Sequence, residues 1–198
     1  MLKIVRTAVV ALLCSLPLTA LADLTAIPSG KYTLDKTHGY ITFSYSHLGF
    51  STPHVSFDKF DVALNLDTQN PQKSTLEVQI DAASVDSRVE EFDEHLNGEN
   101  FFNTAKYPEI TFKSTAIKET GENTFDIVGD LTIMGQTHPA TFAATINKAG
   151  KNPMKKVDAL GVSAETKILR SVWGLGRYAP AVGDEVTIHV TVEMFHQE

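Results

Sequence analysis

A chain whose dominant pattern is alternation of apolar and polar residues has little choice of fold class. Ile41, Phe43, Tyr45 and His47 are interleaved with Thr42, Ser44 and Ser46, and Leu76, Val78 and Ile80 with Glu77, Gln79 and Asp81. Phe125, Ile127, Gly129, Leu131 and Ile133 keep the rule, as do Val186, Ile188, Val190, Val192 and Met194 against Thr187, His189, Thr191 and Glu193. Successive side chains of a strand point to opposite faces, so each run reads as a strand with one apolar face. Asn70-Pro71, Gly121-Glu122-Asn123, Gly135-Gln136 and Gly183-Asp184 supply turn chemistry between the runs. No helical repeat separates them, which predicts an all-β, antiparallel sheet. A sheet this long in one domain closes into a barrel or folds into a sandwich. One run changes phase: Val55 and Phe57 share a parity that Phe60, Val62, Leu64 and Leu66 reverse. A β-bulge near Asp58-Lys59 produces such a switch, and so does a sheet change at a sandwich corner.

One segment breaks the pattern. Ser87-Arg88-Val89-Glu90 reads as a capping box, with Ser87 as N-cap and Glu90 reaching back to its backbone N–H. Val89, Phe92 and Leu96 then share one face, and Asn97-Gly98 stops the helix, with Gly98 expected to take a left-handed cap. This short amphipathic helix plugs or lids a barrel end, or packs over a hole in the sheet.

The first residues read as a targeting signal and not as structure. Lys3 and Arg6 form a basic start, Thr7 to Leu16 a brief apolar run, and Ala20-Leu21-Ala22 an A-x-A cleavage site. The run is shorter than the roughly 20 residues a membrane-spanning helix needs. Leu13 before Cys14 departs from a lipoprotein signal, so plain secretion to the periplasm is expected. The division is a removed signal at residues 1–22 and a single domain at residues 23–198. Cleavage takes two basic residues and no acid, moving the net charge from −7 to −9, and it removes the only cysteine. The mature chain then has no disulfide, thiol nucleophile or thiolate metal site. Its acidity, with Lys155-Lys156 as the longest basic run, argues against nucleic acid.

More specific words accumulate downstream. They are Ser84-Val85-Asp86-Ser87, Asp93-Glu94-His95-Leu96 and Phe101-Phe102-Asn103-Thr104-Ala105-Lys106-Tyr107-Pro108. Ile110-Thr111-Phe112-Lys113-Ser114-Thr115 follows, then Gly129-Asp130-Leu131-Thr132-Ile133-Met134-Gly135-Gln136-Thr137. With Tyr32-Thr33-Leu34-Asp35, Thr42-Phe43 and His47-Leu48, this series resembles the YceI family of secreted, polyisoprenoid-binding proteins. The resemblance covers the whole mature chain. It implies a lipocalin-like antiparallel barrel of about eight strands with an elongated apolar cavity, neither of which periodicity alone shows. The departures matter too. Phe92 and Asn97 stand where that family commonly has arginines, and Arg170-Ser171-Val172-Trp173-Gly174 replaces an Arg-x-Asp-Phe-Gly pattern.

Ten of the eleven phenylalanines lie between Phe43 and Phe142. In a filled β domain they are ordinary core. The resemblance implies instead that Phe43, Tyr45, Phe57, Phe101, Phe102, Phe112 and Trp173 line a lipid cavity. Arg170, His47 and Tyr178 are candidates for the ligand's head group. Arg88 is another, although a surface salt bridge is its ordinary fate. His95 is expected to hold the helix against the barrel by a hydrogen bond, with a place at the cavity mouth as the alternative. The seven histidines show no zinc-binding spacing, so no metal is expected. Ser56-Phe57-Asp58-Lys59 fits S-x-x-K but lies in a strand, no G-x-S-x-G elbow occurs, and Asp93 and Glu94 diverge on the helix, so no catalytic residue is assigned. The expectation is a non-enzymatic carrier of an isoprenoid or similar amphiphile with a quinone, alcohol or amide head and no cofactor. The rivals are an enzyme acting on such a lipid and a filled-core partner of a membrane redox protein. Transient membrane contact and a homodimer stay open.

Overall fold

The computed structural model describes residues 24–197, so the expected signal and its cleavage point lie outside the described residues. The alternating runs form ten strands: β1 (Gly30–His47), β2 (His54–Phe57), β3 (Phe60–Leu66), β4 (Thr75–Asp81), β5 (Val85–Asp86), β6 (Glu109–Gly121), β7 (Thr124–Ile133), β8 (Gln136–Lys151), β9 (Asp158–Leu169) and β10 (Val182–His196). Neighbours run antiparallel in the order β10-β9-β8-β7-β6-β4-β3-β1, and β10 pairs again with β1, closing the sheet. β2 continues the line of β3 along β1, and β5 continues β4 along β2, so the barrel has eight staves, two of them split. Closure leaves no long unpaired edge.

The split explains the phase switch. Asp58 donates its N–H to the Ser84 carbonyl and Asp81 to that of Lys59, both at 3.0 Å, while the Ser84 hydroxyl accepts from the Lys59 N–H at 3.0 Å. Two adjacent staves therefore bend together at Asp58-Lys59 and at the 3₁₀ turn Ala82–Ser84. The result is a barrel kink and not a sandwich corner.

β1 carries a second irregularity. Its register with β10 slips between Leu34 and Gly39. Asp35 Oδ1 accepts hydrogen bonds from the Thr37 N–H at 3.1 Å and the Thr37 hydroxyl at 2.8 Å, a side-chain turn that throws the backbone out of the ladder.

The helix, α1 (Glu90–Asn97), is where expected, but its ends differ. Val89 is the N-cap and Ser87 does not cap. Arg88 takes a left-handed φ of 66°, which turns Ser87 away from the first helical N–H groups. The Ser87 N–H instead donates to Asp93 Oδ1 at 2.7 Å, so the acid that reaches back is Asp93 and not Glu90. Gly98 has φ −70° and ψ 168°, outside the left-handed region. The returning chain does the capping: Phe102 and Thr104 donate their N–H groups to the carbonyls of Leu96 and Asn97 at 3.0 and 3.1 Å.

Apolar residues divide into two bodies. Ile27, Tyr32, Val62, Leu64, Leu66, Leu160, Val192 and Met194 pack solidly at the end holding the start of β1 and the finish of β10. Tyr32 is fully buried and its hydroxyl donates to the Pro28 carbonyl at 2.7 Å. The larger body surrounds the other half of the barrel, beneath α1.

Candidate functional site: an apolar cavity open at one end

The larger body is hollow. A cavity of about 630 Å³ lies within it, well inside the range of roughly 300–1,000 Å³ typical of small-molecule sites. Its wall follows from strand parity. Ile41, Phe43, Tyr45 and His47 project from β1, and opposite them on β10 stand Val190, Ile188 and Val186. Leu76, Val78 and Ile80 come from β4, Ile110 and Phe112 from β6, and Ile127, Leu131 and Ile133 from β7. The chain after α1 folds inward. The Phe102 ring meets Phe43 and Phe57 edge-on, with centroids 6.1 and 5.5 Å away. Phe112 meets Phe142 edge-on at 5.0 Å. These edge contacts suit the ring quadrupoles. The cavity opens where the β1–β2 turn, the start of α1 and the β9–β10 loop meet, with exposed Val89, His95 and Tyr178 on its rim.

Of the residues expected at the site, Phe43, Tyr45, His47, Phe57, Phe101, Phe102, Phe112, Arg170 and Tyr178 stand on this wall. Trp173 does not. Its indole is buried and donates to the Leu131 carbonyl at 3.1 Å, with the His138 ring 5.2 Å away. A buried indole N–H needs a partner, and satisfying it against β7 turns the ring from the cavity into the packing behind it. Arg88 is exposed and off the wall. His95 lies at the mouth, against Phe101 at 4.8 Å, so it makes ring contacts where a hydrogen bond to the barrel was expected.

Arg170 is the cationic side chain of the wall, and three of its five N–H donors are engaged. Nε donates to the Gly183 carbonyl and Nη2 to that of Val182, both at 2.9 Å, and Nη1 donates to the Leu175 carbonyl. The guanidinium thus ties the 3₁₀ turn Arg170–Trp173 to the start of β10. Asp184 reinforces the joint by accepting from the Ser171 N–H at 2.9 Å and hydroxyl at 2.7 Å, which hold its carboxyl below the usual range. Burial raises the Tyr45 phenol above its ordinary value, partly offset by the Arg170 charge. Phe92 lines the cavity, while Asn97 donates to the Asp93 carbonyl at 2.8 Å and accepts from the Thr104 hydroxyl at 2.8 Å. The two positions expected to hold arginines in relatives therefore bring no cation to the cavity.

Attention to aromatic residues alone missed the aliphatic wall. Leu76, Val78, Ile80, Ile188 and Val190 share the faces that parity had marked as apolar, and in a closed barrel the whole face looks inward. Outside the cavity, Asp35, His38 and Glu193 bring ligand-type atoms within 4.8 Å of one another, from strands the sequence keeps far apart. Asp35 is engaged there by His38 at 2.9 Å and approached by Lys155 at 3.8 Å, a cation where a metal would need a free carboxylate.

Comparison with known proteins agrees with this geometry. The YceI-like domain matches residues 32–194. A UPF0312 protein of Azotobacter vinelandii is 36% identical over 171 residues, 85% of this chain and 88% of its own. Another, from Pseudomonas putida, is 36% identical over 182 residues, 91% of this chain and 94% of its own. Among solved structures, Burkholderia cenocepacia BcnA superposes with a TM-score of 0.74 at 23% identity, covering 81% of this chain and 98% of that one. The YceI protein of Campylobacter jejuni gives 0.69 at 25%, covering 77% and 90%. A polyisoprenoid binding domain from Saccharophagus degradans gives 0.63 at 14%, covering 84% and 98%. Hollow eight-stave barrel, matched domain and full-length relatives converge: the chain belongs to the YceI family.

Proposed function

We propose that this protein is a periplasmic carrier that holds one long-chain isoprenoid or similar amphiphile in its barrel, with a neutral or weakly polar head, and that it catalyses no reaction on it. The observation that carries the reading is the composition of the wall: mostly aliphatic and aromatic side chains, with its arginine bonded to three backbone carbonyls. Each methylene moved from water into such a wall contributes about 0.8 kcal/mol, so a tail of about a dozen methylenes binds with few polar contacts. The polyisoprenoid-binding description of one structural neighbour supports the same ligand class. A diphosphate head would need cationic partners to offset its desolvation, and the wall offers one guanidinium, three of whose N–H groups already serve backbone carbonyls. Tyr45, Tyr178 and His47 suit a quinone, alcohol or amide instead. A filled-core interaction domain is at odds with the cavity.

The test is mass spectrometry of protein purified from a periplasmic extract, intact and after organic extraction. The expected result is a chain beginning at Asp23 with a stoichiometric long-chain lipid. Competition among prenyl alcohol, prenyl diphosphate and quinone of matched tail length should then favour the neutral heads. An extract without lipid would overturn the carrier reading, and preference for the diphosphate that weakens with salt would overturn the neutral head.

A further inference from the structure

Among the described residues, nine large hydrophobic side chains are exposed, and six of them cluster at the open end of the barrel. Leu48 and Phe50 form the β1–β2 turn, Val89 precedes α1, Leu169 and Val172 flank the end of β9, and Tyr178 stands in the β9–β10 loop. Phe50 is 91% exposed, which makes it the most exposed of the nine. The fold does not ask for these residues. Leu48 has φ 54° and is followed by Gly49 at 76°, so both central positions of the turn are left-handed. Such turns favour Asn, Asp or Gly, and a large aliphatic side chain there is strained. Tyr178 also sits at a left-handed φ, 65°. Two apolar rim residues thus occupy sites where a small polar residue would be easier to fold and more soluble.

The chemistry of the rim narrows the partner. From Ser46 to His54 the chain has no Asp, Glu, Lys or Arg. The turn is tied to the adjoining β9–β10 loop by the Leu48 N–H donating to the Ala181 carbonyl at 3.1 Å, and Val182 donates its N–H to the Tyr178 carbonyl at 2.8 Å, so Leu48, Phe50 and Tyr178 belong to one connected rim. Arg177 lies over the Tyr178 ring at 5.0 Å with its Nη1 donating to Asn100 Oδ1 at 2.6 Å, a long aliphatic stem with a charged tip beside an amphipathic ring. Aromatic rings at headgroup depth and snorkelling arginines are the furniture of a bilayer interface. The side chains stand on separate loops around an opening, and a protein cover would seal that opening. The exposed acids of α1, Glu90, Glu91 and Glu94, disfavour an anionic surface.

We propose that the open end of the barrel docks on a zwitterionic lipid bilayer through Leu48, Phe50 and Tyr178, so that cargo passes between bilayer and cavity without crossing water. The inference rests on the carrier reading of the cavity. Its test uses the full mature chain and vesicles of phosphatidylcholine, alone or with added phosphatidylglycerol. Leu48→Asn/Phe50→Asn is the test variant, because Asn suits the left-handed turn and neither residue lines the cavity. Met154→Ser, at the far end, is the control. The unmodified chain and the control should float with phosphatidylcholine vesicles, less with phosphatidylglycerol present. The double variant should partition about tenfold less and load quinone from donor vesicles about tenfold more slowly, while retaining prenyl alcohol added in solution. A chain that holds prenyl alcohol but does not float, or equal flotation of the double variant, would overturn the docking surface. So would self-association that the double variant abolishes, since the rim would then bind a second copy. Flotation by a chain that holds no prenyl alcohol would support the surface and sink the carrier reading.

Discussion

Gly129 shows how closely one residue can control the cavity. A Cβ there would lie 2.4 Å from the Lys113 carbonyl oxygen and 2.5 Å from Phe112 Cζ, and the Phe112 ring is part of the cavity wall. Gly129→Ala must push both the β6 backbone and that ring. A destabilisation of about 1–3 kcal/mol is expected from such overpacking, read as a lower urea midpoint, together with reduced lipid content. An unchanged midpoint would mean that β6 yields freely. Residues of this kind were only half legible beforehand. Phe112 and Gly129 belong to words that resemble a family, and the resemblance alone put Phe112 on the cavity wall. Trp173 misled because its position is decided by a carbonyl 42 residues away, at Leu131, and no local pattern announces a partner so distant.

At the scale of elements, alternation marked β1 to β4, β7 and β10, while β5, β6, β8 and β9 were not among the runs it picked out. What alternation leaves out is which strands share a stave. β2 and β3 form one stave broken at Asp58-Lys59, a fact set by hydrogen bonds to Ser84 across the sheet. The end of α1 at Asn97 was legible and its start was not, since the left-handed Arg88 displaces the expected cap. The two versions of that start make opposite predictions. Asp93→Ala removes the acceptor of the Ser87 N–H and should cost about 1 kcal/mol, the usual size of a lost helix-start hydrogen bond. Glu90→Ala should change little. Urea midpoints of the two variants, measured in the same buffer, distinguish the arrangements, and the reverse order would restore the capping box.

For the molecule as a whole, the charged pair in the β1 bulge contributes to how stability responds to pH. Burial alone would raise the Asp35 carboxyl, but hydrogen bonds from His38 and Thr37 and the Lys155 charge outweigh it and hold it at about 2. His38 moves up from 6.5, chiefly through its hydrogen bond to Asp35, against the opposing effect of burial and with help from Glu193. The depressed carboxyl contributes stability above its ordinary 3.8 that is lost as pH falls through about 2. The raised imidazole contributes stability below 6.5 that is lost as pH rises through its folded value. Both act together between those limits. Thermal melts across pH should therefore show His38→Ala furthest below the unmodified chain in that window, the gap narrowing on either side. A gap independent of pH would mean that the pair does not titrate with folding. The division of the barrel into a solid end and a hollow one reaches further. None of the eight residues that pack the solid end borders the cavity, so departure of an occupant removes contacts from only half the length of β1 and β10. One continuous strand should then show two opening free energies by amide hydrogen exchange, high near Tyr32 and Met194 and lower near Tyr45 and Val186. Breathing confined to one half gives a bulky tail room to enter while the other half keeps the register, so the vessel can be filled without being unmade.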